Sequence, residues 1–287
     1  MAGKIARGWE ITKLSWSVLM DDKKLLVFPL ISSAACLAIL ATFAVPVALL
    51  VDWSSMNEEK FNAAYRTPWY YLGLFAFYFA NYMIVFFFNS ALAACVFERF
   101  RGGQPTIQFG LSQAIQRLPQ IAMWALVSAT VGLVLQMIVE RSRLIGGLVA
   151  RLLGAGWTIA TYFAVPVIVV EKAQPKEVFK RSLSLLTRSW GESLVANIGM
   201  GLATGLAVLV ATLPLIGGIV GIVSESIPVG FGIALIALTV LLWLGITLVS
   251  STMKIILTTA LYQFASTGTA PGPFNDDLFR TAFKAKK

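Results

Sequence analysis

Hydrophobic residues gather in six long runs, at about 25–51, 69–97, 121–139, 144–170, 194–223 and 229–262, each bounded by charge, proline or glycine. An α-helix needs about 20 apolar residues to cross the hydrocarbon core of a bilayer, so the pattern predicts six transmembrane helices. The last run is longer than the hydrocarbon requires, and Lys254 near its end would snorkel to an interface. That helix is expected to tilt or to emerge into water. The shortest run, 121–139, carries Ser128, Thr130 and Gln136.

The segments before the first, third and fifth runs follow a different rule. At about 5–20, 107–118 and 178–190, apolar positions recur at i, i+4, i+7 and i+11, the spacing of a helix with one apolar face. In the third segment the stripe is Phe179, Leu183, Leu186 and Trp190, backed by Lys180, Arg181, Ser184 and Arg188. In the second it is Ile107, Leu111, Ala114 and Leu118, backed by Gln108, Ser112, Gln113, Gln116 and Arg117. The first reads Ile5, Trp9, Thr12 and Trp16, with Arg7 and Lys13 elsewhere on the helix. Arg7 aligns with Arg181, and Ser15-Trp16 with Ser189-Trp190, at one constant offset. Such helices are expected to lie in the interface, with Trp at headgroup depth and basic side chains toward anionic lipid. DDLFRTAFKAKK, at 276–287, has the composition of a fourth.

The expected fold is therefore all-α: a single integral membrane domain over 1–287, a polytopic bundle of six transmembrane helices. It is built as three repeats of an interfacial amphipathic helix plus a transmembrane hairpin. Two other readings compete. Any connector beside a membrane tends to be amphipathic, although that alone would not produce the shared Ser-Trp pair. The pentapeptide FAVPV also occurs twice, at 43–47 and 163–167, and would relate the first three spans to the last three by inverted topology, as in many transporters. Beyond those five residues no further match supports the inversion.

Composition places this pattern in a bilayer. With 57% hydrophobic residues, 13% charged residues and a mean hydropathy of +0.78, the chain holds more apolar surface than a soluble core of its length could bury. The net charge of +9 does not point to nucleic acid, because Lys and Arg, apart from Arg151 and Lys254, are confined to the segments between runs. Seventeen of them, including Lys4, Arg7, Lys13, Arg99, Arg117, Lys172, Lys180, Arg181 and Arg188, fall on one side of the membrane. Lys60, Arg66, Arg141, Arg143 and Arg151 fall on the other, so both termini are expected in the cytoplasm and the acidic loop Asp52–Pro68 outside. Lys23-Lys24 ahead of LLVFPLISSAAC imitates a lipoprotein signal, but Ser33 stands three before Cys36 where a large aliphatic residue is needed. The run also continues well past the cysteine, long enough for an uncleaved anchor.

The chemistry implied is sparse. The chain has no histidine, which removes Ser-His and Cys-His nucleophile pairs, His metal sites and haem ligation. Cys36 and Cys95 lie in apolar runs and read as small buried hydrophobes. No phosphate loop, dinucleotide fingerprint or metal-ligand cluster is present in the sequence, and no cofactor is expected. No Asp, Glu, Lys or Arg stands near the middle of a span, which argues against an ion-coupled pump. Asn81, Asn89, Gln136 and Asn197 are uncharged polar residues within spans, and they define a candidate polar pathway or, alternatively, hydrogen bonds between helices. Gly201 and Gly205 follow Asn197 at four-residue spacing, with Gly217 and Gly221 further on, and are expected to admit close helix contact. Pro46, Pro166 and Pro214 lie deep enough in their runs that each is expected to kink its helix.

The stretch YFAVPVIVVEKAQPKEVFKRSLSLLTRSWGESL, 162–194, resembles the membrane domain attached to some bacterial glycerophosphodiester phosphodiesterases and its stand-alone relatives of unknown function. The opening ARGWEITKLSWSVLMDDKKLLVFPL, 6–30, is similar to one uncharacterised prokaryotic family of six-helix membrane proteins. The resemblance implies a six-helix fold and a prokaryotic plasma membrane. Phosphodiesterase activity is not expected, since the runs leave no room for a soluble catalytic domain and that chemistry relies on histidines.

Three functions follow as expectations. The first is a non-enzymatic membrane protein that organises anionic inner-leaflet lipid, or a protein partner or second copy, through Arg7, Trp9, Lys13 and Trp16 and through Lys180, Arg181, Arg188 and Trp190. The second is a facilitator or channel lined by Asn81, Asn89, Gln136 and Asn197. The third, a lipid-modifying enzyme, would need a carboxylate or hydroxyl cluster near one interface, and Glu98 and Glu171 are the acids at the cytoplasmic-side span ends.

Overall fold

The computed structural model describes residues 2–51, 67–141, 145–188, 190–275 and Phe279. The loop at 52–66, Ser189 and the basic tail at 280–287 lie outside the described residues. The helices are α1 (Ala2–Asp21), α2 (Val27–Leu50), α3 (Pro68–Phe100), α4 (Ile107–Gln116), α5 (Leu118–Arg141) and α6 (Ile145–Ala160). They continue with α7 (Ala164–Glu171), α8 (Pro175–Arg188), α9 (Trp190–Ala211), α10 (Leu213–Val223) and α11 (Val229–Thr267). A 3₁₀ turn, Lys23–Leu26, links α1 to α2, and no strand occurs among the described residues. Six stretches are long and apolar enough to cross a membrane: Lys23–Leu49, Pro68–Phe100, Leu118–Glu140, Gly146–Glu171, Asn197–Val223 and Val229–Thr267. The expected number and order of spans are met.

The chain divides into two compact units. The terminal unit is drawn from Met1–Leu26, Phe100–Gly102 and Arg188–Lys287, the central unit from Val27–Arg99 and Gly103–Thr187.

In the terminal unit, α1 packs on both α9 and α11, and the 3₁₀ turn packs on α1 and α11. Between apolar helices in lipid the hydrophobic effect supplies little, so close contact depends on small residues. Gly8 and Gly199 provide it: a Cβ on Gly199 would strike the backbone of Gly8, so α1 and α9 touch main chain to main chain. Ile11, Val18, Leu19 and Leu25 are buried together with Ile256, Leu257, Ala260 and Leu261. At 39 residues, α11 is about 58 Å long against a hydrocarbon core of about 30 Å. Its buried positions cluster between Thr252 and Tyr262, so the surplus length is the part that packs. Phe264, Phe274 and Phe279 form a ring cluster beyond it, with Phe100 edge-on to Phe274 at 6.0 Å.

In the central unit, the buried residues are Phe28 at the start of α2, Ser90–Phe97 at the end of α3, and Ile121, Trp124, Ala125 and Ala129 early in α5. Ala164–Ile168 of α7 joins them. Gly110 lets α4 lie on α3, since a Cβ there would come within 2.6 Å of Cys95 Sγ and 2.8 Å of the Ala91 carbonyl. Thr106 caps α4 by accepting the Phe109 N–H at 3.1 Å. Rings run in contact from Tyr82 through Phe86, Trp124 and Trp157 to Phe179, with centroids 5.7–6.5 Å apart. Phe179 thereby ties α8 to α6.

Several expectations change. The amphipathic faces are turned by one position from the predicted stripes: α1 buries Gly8, Ile11, Thr12 and Ser15, and α8 buries Val178, Ser182, Leu185 and Leu186. Trp9, Trp16, Leu183 and Leu118 are exposed. The stripes followed the largest side chains, whereas tight helix contact is made by smaller ones beside them. Trp190 opens α9 rather than closing α8. Pro166 and Pro214 do not kink continuous helices, because the helices stop before them, at Thr161–Phe163 and at Thr212. Each proline then sits in a first turn, where its missing N–H costs nothing. Pro46 lies inside an uninterrupted α2, so the two FAVPV copies have different local structures. Gly201, Gly205 and Gly217 face open space; the close contacts fall instead to Gly199, to Gly218 against Gly232, and to Gly221 against the Ile227 side chain.

Candidate functional site

The break at Thr161–Phe163 shows how a polar side chain on an amphipathic helix can complete a span. The chain turns at Thr161–Phe163, and there the Phe163 N–H donates to Ser182 Oγ of α8 at 3.0 Å. Both residues are fully buried, so the bond forms in a low-dielectric setting where an orphan donor would be costly. Around it, Arg117 Nε donates to the Val169 carbonyl at 3.2 Å, and Arg181 Nε pairs with Glu171 Oε1 at 2.8 Å. Arg181 and Glu171 are therefore committed in part to holding α8 against the end of α7. Lys180 and Arg188 remain exposed.

A cavity of about 640 Å³ lies within the terminal unit. Its α1 wall is Trp9, Thr12, Lys13 and Trp16; its α9 wall is Met200, Ala203, Thr204 and Ala207. The α11 wall runs from Leu241 to Met253 through Gly245, Ile246, Val249 and Ser250. At 1.5 Å per residue this wall is about 18 Å long. The volume suits a small-molecule or single-chain ligand, and the lining is apolar with few exceptions. Thr12 Oγ1 is spent on the Gly8 carbonyl at 2.8 Å, and Thr204 and Ser250 bond each other at 3.1 Å across α9 and α11. Lys13 is exposed and forms no ion pair with any acid among the described residues. Trp9 and Trp16 flank it at 44% and 46% exposure. Three of the residues expected to meet lipid thus stand together on one wall of a cavity. Arg7 and Trp190 have side chains outside the described residues.

The four pathway candidates do not line this cavity. Asn81 Nδ2 donates to the Phe77 carbonyl at 2.9 Å and Gln136 Nε2 to Glu140 Oε1 at 3.0 Å, each within its own helix. Glu140 also accepts from Tyr70 and Tyr71, at 3.4 and 3.0 Å, fastening the start of α3 to the end of α5. Asn89 and Asn197 are half-buried. Among the described residues no group of three metal-ligating side chains comes together.

Sequence reasoning did not find the α9 and α11 walls. The signal was present in Met200, Ala203, Thr204 and Ala207, spaced along one helix face, and in the hydroxyls of Thr204 and Ser250. It was hidden because every face of those helices is apolar, so periodicity has no contrast to report.

Residues 69–272 match the model of a family of unknown function (DUF6159). The matched range contains the α9 and α11 walls and the 162–194 stretch, and it starts after α1. This match shows no similarity to glycerophosphodiester phosphodiesterases. No curated protein matches the chain.

Proposed function

The chain belongs to this family of unknown function, and from its own geometry we propose that it is a non-enzymatic, multi-pass protein that organises anionic lipid in the inner leaflet of a prokaryotic plasma membrane. The observation that carries this reading is the exposed Lys13, without an ion pair among the described residues and held between the half-exposed Trp9 and Trp16 on a helix packed against two spans. Indole rings favour headgroup depth, and an unpaired cation beside them favours a phosphate-bearing surface. On α8, exposed Lys180 and Arg188 beside exposed Leu183 repeat the combination.

A shared template for α1 and α8 draws support from burial. Gly8 and Ser182, Ile11 and Leu185, and Thr12 and Leu186 are buried pairs at the same spacing that relates Arg7 to Arg181 and Trp16 to Trp190. The excess of Lys and Arg on the connectors next to these helices favours a cytoplasmic location for both termini. A solute pathway is disfavoured, because Asn81 and Gln136 spend their amides on their own helices.

The test reverses Arg7, Lys180 and Arg188 together to Glu, leaving Arg181 to its ion pair. Protein is extracted with its surrounding bilayer in polymer-bounded discs, and the retained lipid is quantified by mass spectrometry. A several-fold fall in the ratio of anionic to zwitterionic phospholipid is expected, each basic residue near the surface contributing about 1 kcal/mol. An unchanged ratio in a folded variant would contradict the reading.

A further inference from the structure

We infer that the cavity between α1, α9 and α11 is a stoichiometric site for one anionic phospholipid of the leaflet next to the basic connectors, with one acyl chain in the slot and the phosphate at Lys13. The inference rests on the lipid reading above and adds to it a discrete site, a fixed stoichiometry and a headgroup class.

The depth of the slot supports this occupant. Lys254 is exposed immediately after Met253, and an exposed cation on a spanning helix marks the interface. The α11 wall starts at that level and runs about 18 Å toward the other face, slightly more than half of the roughly 30 Å hydrocarbon core. That is the reach of one leaflet's acyl chain, and a slot serving a solute that crosses the membrane would need to be longer.

The chemistry of the walls agrees. Thr204 and Ser250 bond each other about one turn from Met253, and the α11 wall beyond them is Val249, Ile246, Gly245, Leu242 and Leu241, so the deep part of the slot offers a polar ligand no side-chain hydrogen-bonding group from α11. Gly245 leaves room, since a Cβ there would meet nothing within 4 Å. The one charged side chain of the lining is Lys13, exposed on the α1 side and without an ion pair among the described residues. An apolar chain with an anionic head is complementary to that arrangement, whereas an apolar helix of another protein would leave the ammonium without a counter-charge.

The test is native mass spectrometry of the intact protein, delipidated in detergent and titrated with phosphatidylglycerol or with phosphatidylcholine of the same acyl chains. The native protein is expected to retain one phosphatidylglycerol and to prefer it over phosphatidylcholine by about tenfold, the scale of one charge-assisted contact. Lys13→Gln should remove the preference while leaving phosphatidylcholine binding as it was. Gly245→Phe, which fills open space and leaves Lys13 in place, should abolish the stoichiometric lipid with either headgroup. Lipid retained by Gly245→Phe as by the native protein would overturn the site, and an unchanged headgroup preference in Lys13→Gln would overturn its chemistry. The triple reversal of Arg7, Lys180 and Arg188 keeps the stoichiometric lipid if the site is real. Loss of that lipid in the triple variant, with the cavity intact, would reduce the site to part of the general surface effect.

Discussion

Ser182 accepts the Phe163 N–H in a fully buried setting, so its removal takes away an acceptor that water does not replace there. Ser182→Ala should lower stability by about 1–3 kcal/mol, seen as a drop in the detergent melting temperature. Ser128 gives the opposite case: its hydroxyl is buried without a partner, so Ser128→Ala should leave the melting temperature unchanged or raise it. A lower melting temperature for Ser128→Ala would mean that this hydroxyl has a partner after all. At this scale the sequence is least informative. Ser182 could be recognised as a polar residue on a basic helix, but its acceptor role depends on where a distant span breaks, and no local pattern encodes that. Trp9, Lys13 and Trp16 could be singled out in the sequence because their chemistry is unusual beside apolar runs, and the structure brings them together on one cavity wall. Thr204 and Ser250 were not, because their pairing joins two helices of uniform polarity.

Helices assembled in lipid are held by close approach rather than by removal of apolar surface from water, and the glycines decide where α1 sits. Gly199 meets the Gly8 backbone, whereas Gly201, two residues on, faces open space. Gly199→Leu should therefore displace α1, detected as faster amide exchange at Ile11 and Ser15, and Gly201→Leu should leave exchange there unchanged. Equal exchange in both variants would contradict this contact. Gly110→Val should likewise lift α4 from α3, by its clash with Cys95 and the Ala91 carbonyl, and lower the melting temperature. The amphipathic helices were legible as elements, with ends within a few residues of those observed. Their phase was not, because a stripe drawn through large apolar residues marks what meets lipid as readily as what meets protein. Prolines gave correct positions and the wrong consequence: at Pro166 and Pro214 the chain ends one helix and starts another, which satisfies the backbone better than a kink.

In each unit most buried residues sit at the helix ends that adjoin the basic connectors, and the opposite halves are more open, with Leu49 at 78% exposure in the central unit and Val223 at 78% in the terminal unit. Those open halves suit direct contact with acyl chains. The number and order of spans were legible because about 20 apolar residues have few other uses in a chain this hydrophobic. The burial asymmetry was not, since packed and lipid-facing residues are equally apolar. The charge pattern predicts sidedness: with Cys36 and Cys95 replaced by Ser, Thr67→Cys should react with a membrane-impermeant maleimide on intact cells. Gln104→Cys should react only after permeabilisation. The reverse result would invert the orientation and move the lipid site to the outer leaflet. The central claim, that basic-aromatic helices hold anionic lipid, is tested most directly by a density map of the protein in its native bilayer. The account predicts a tubular acyl-chain density along α11 between Met253 and Leu241, joined to a headgroup at Lys13, with further ordered headgroups beside Lys180 and Arg188. A slot filled by protein, or headgroup density no stronger at these residues than elsewhere around the protein, would contradict it.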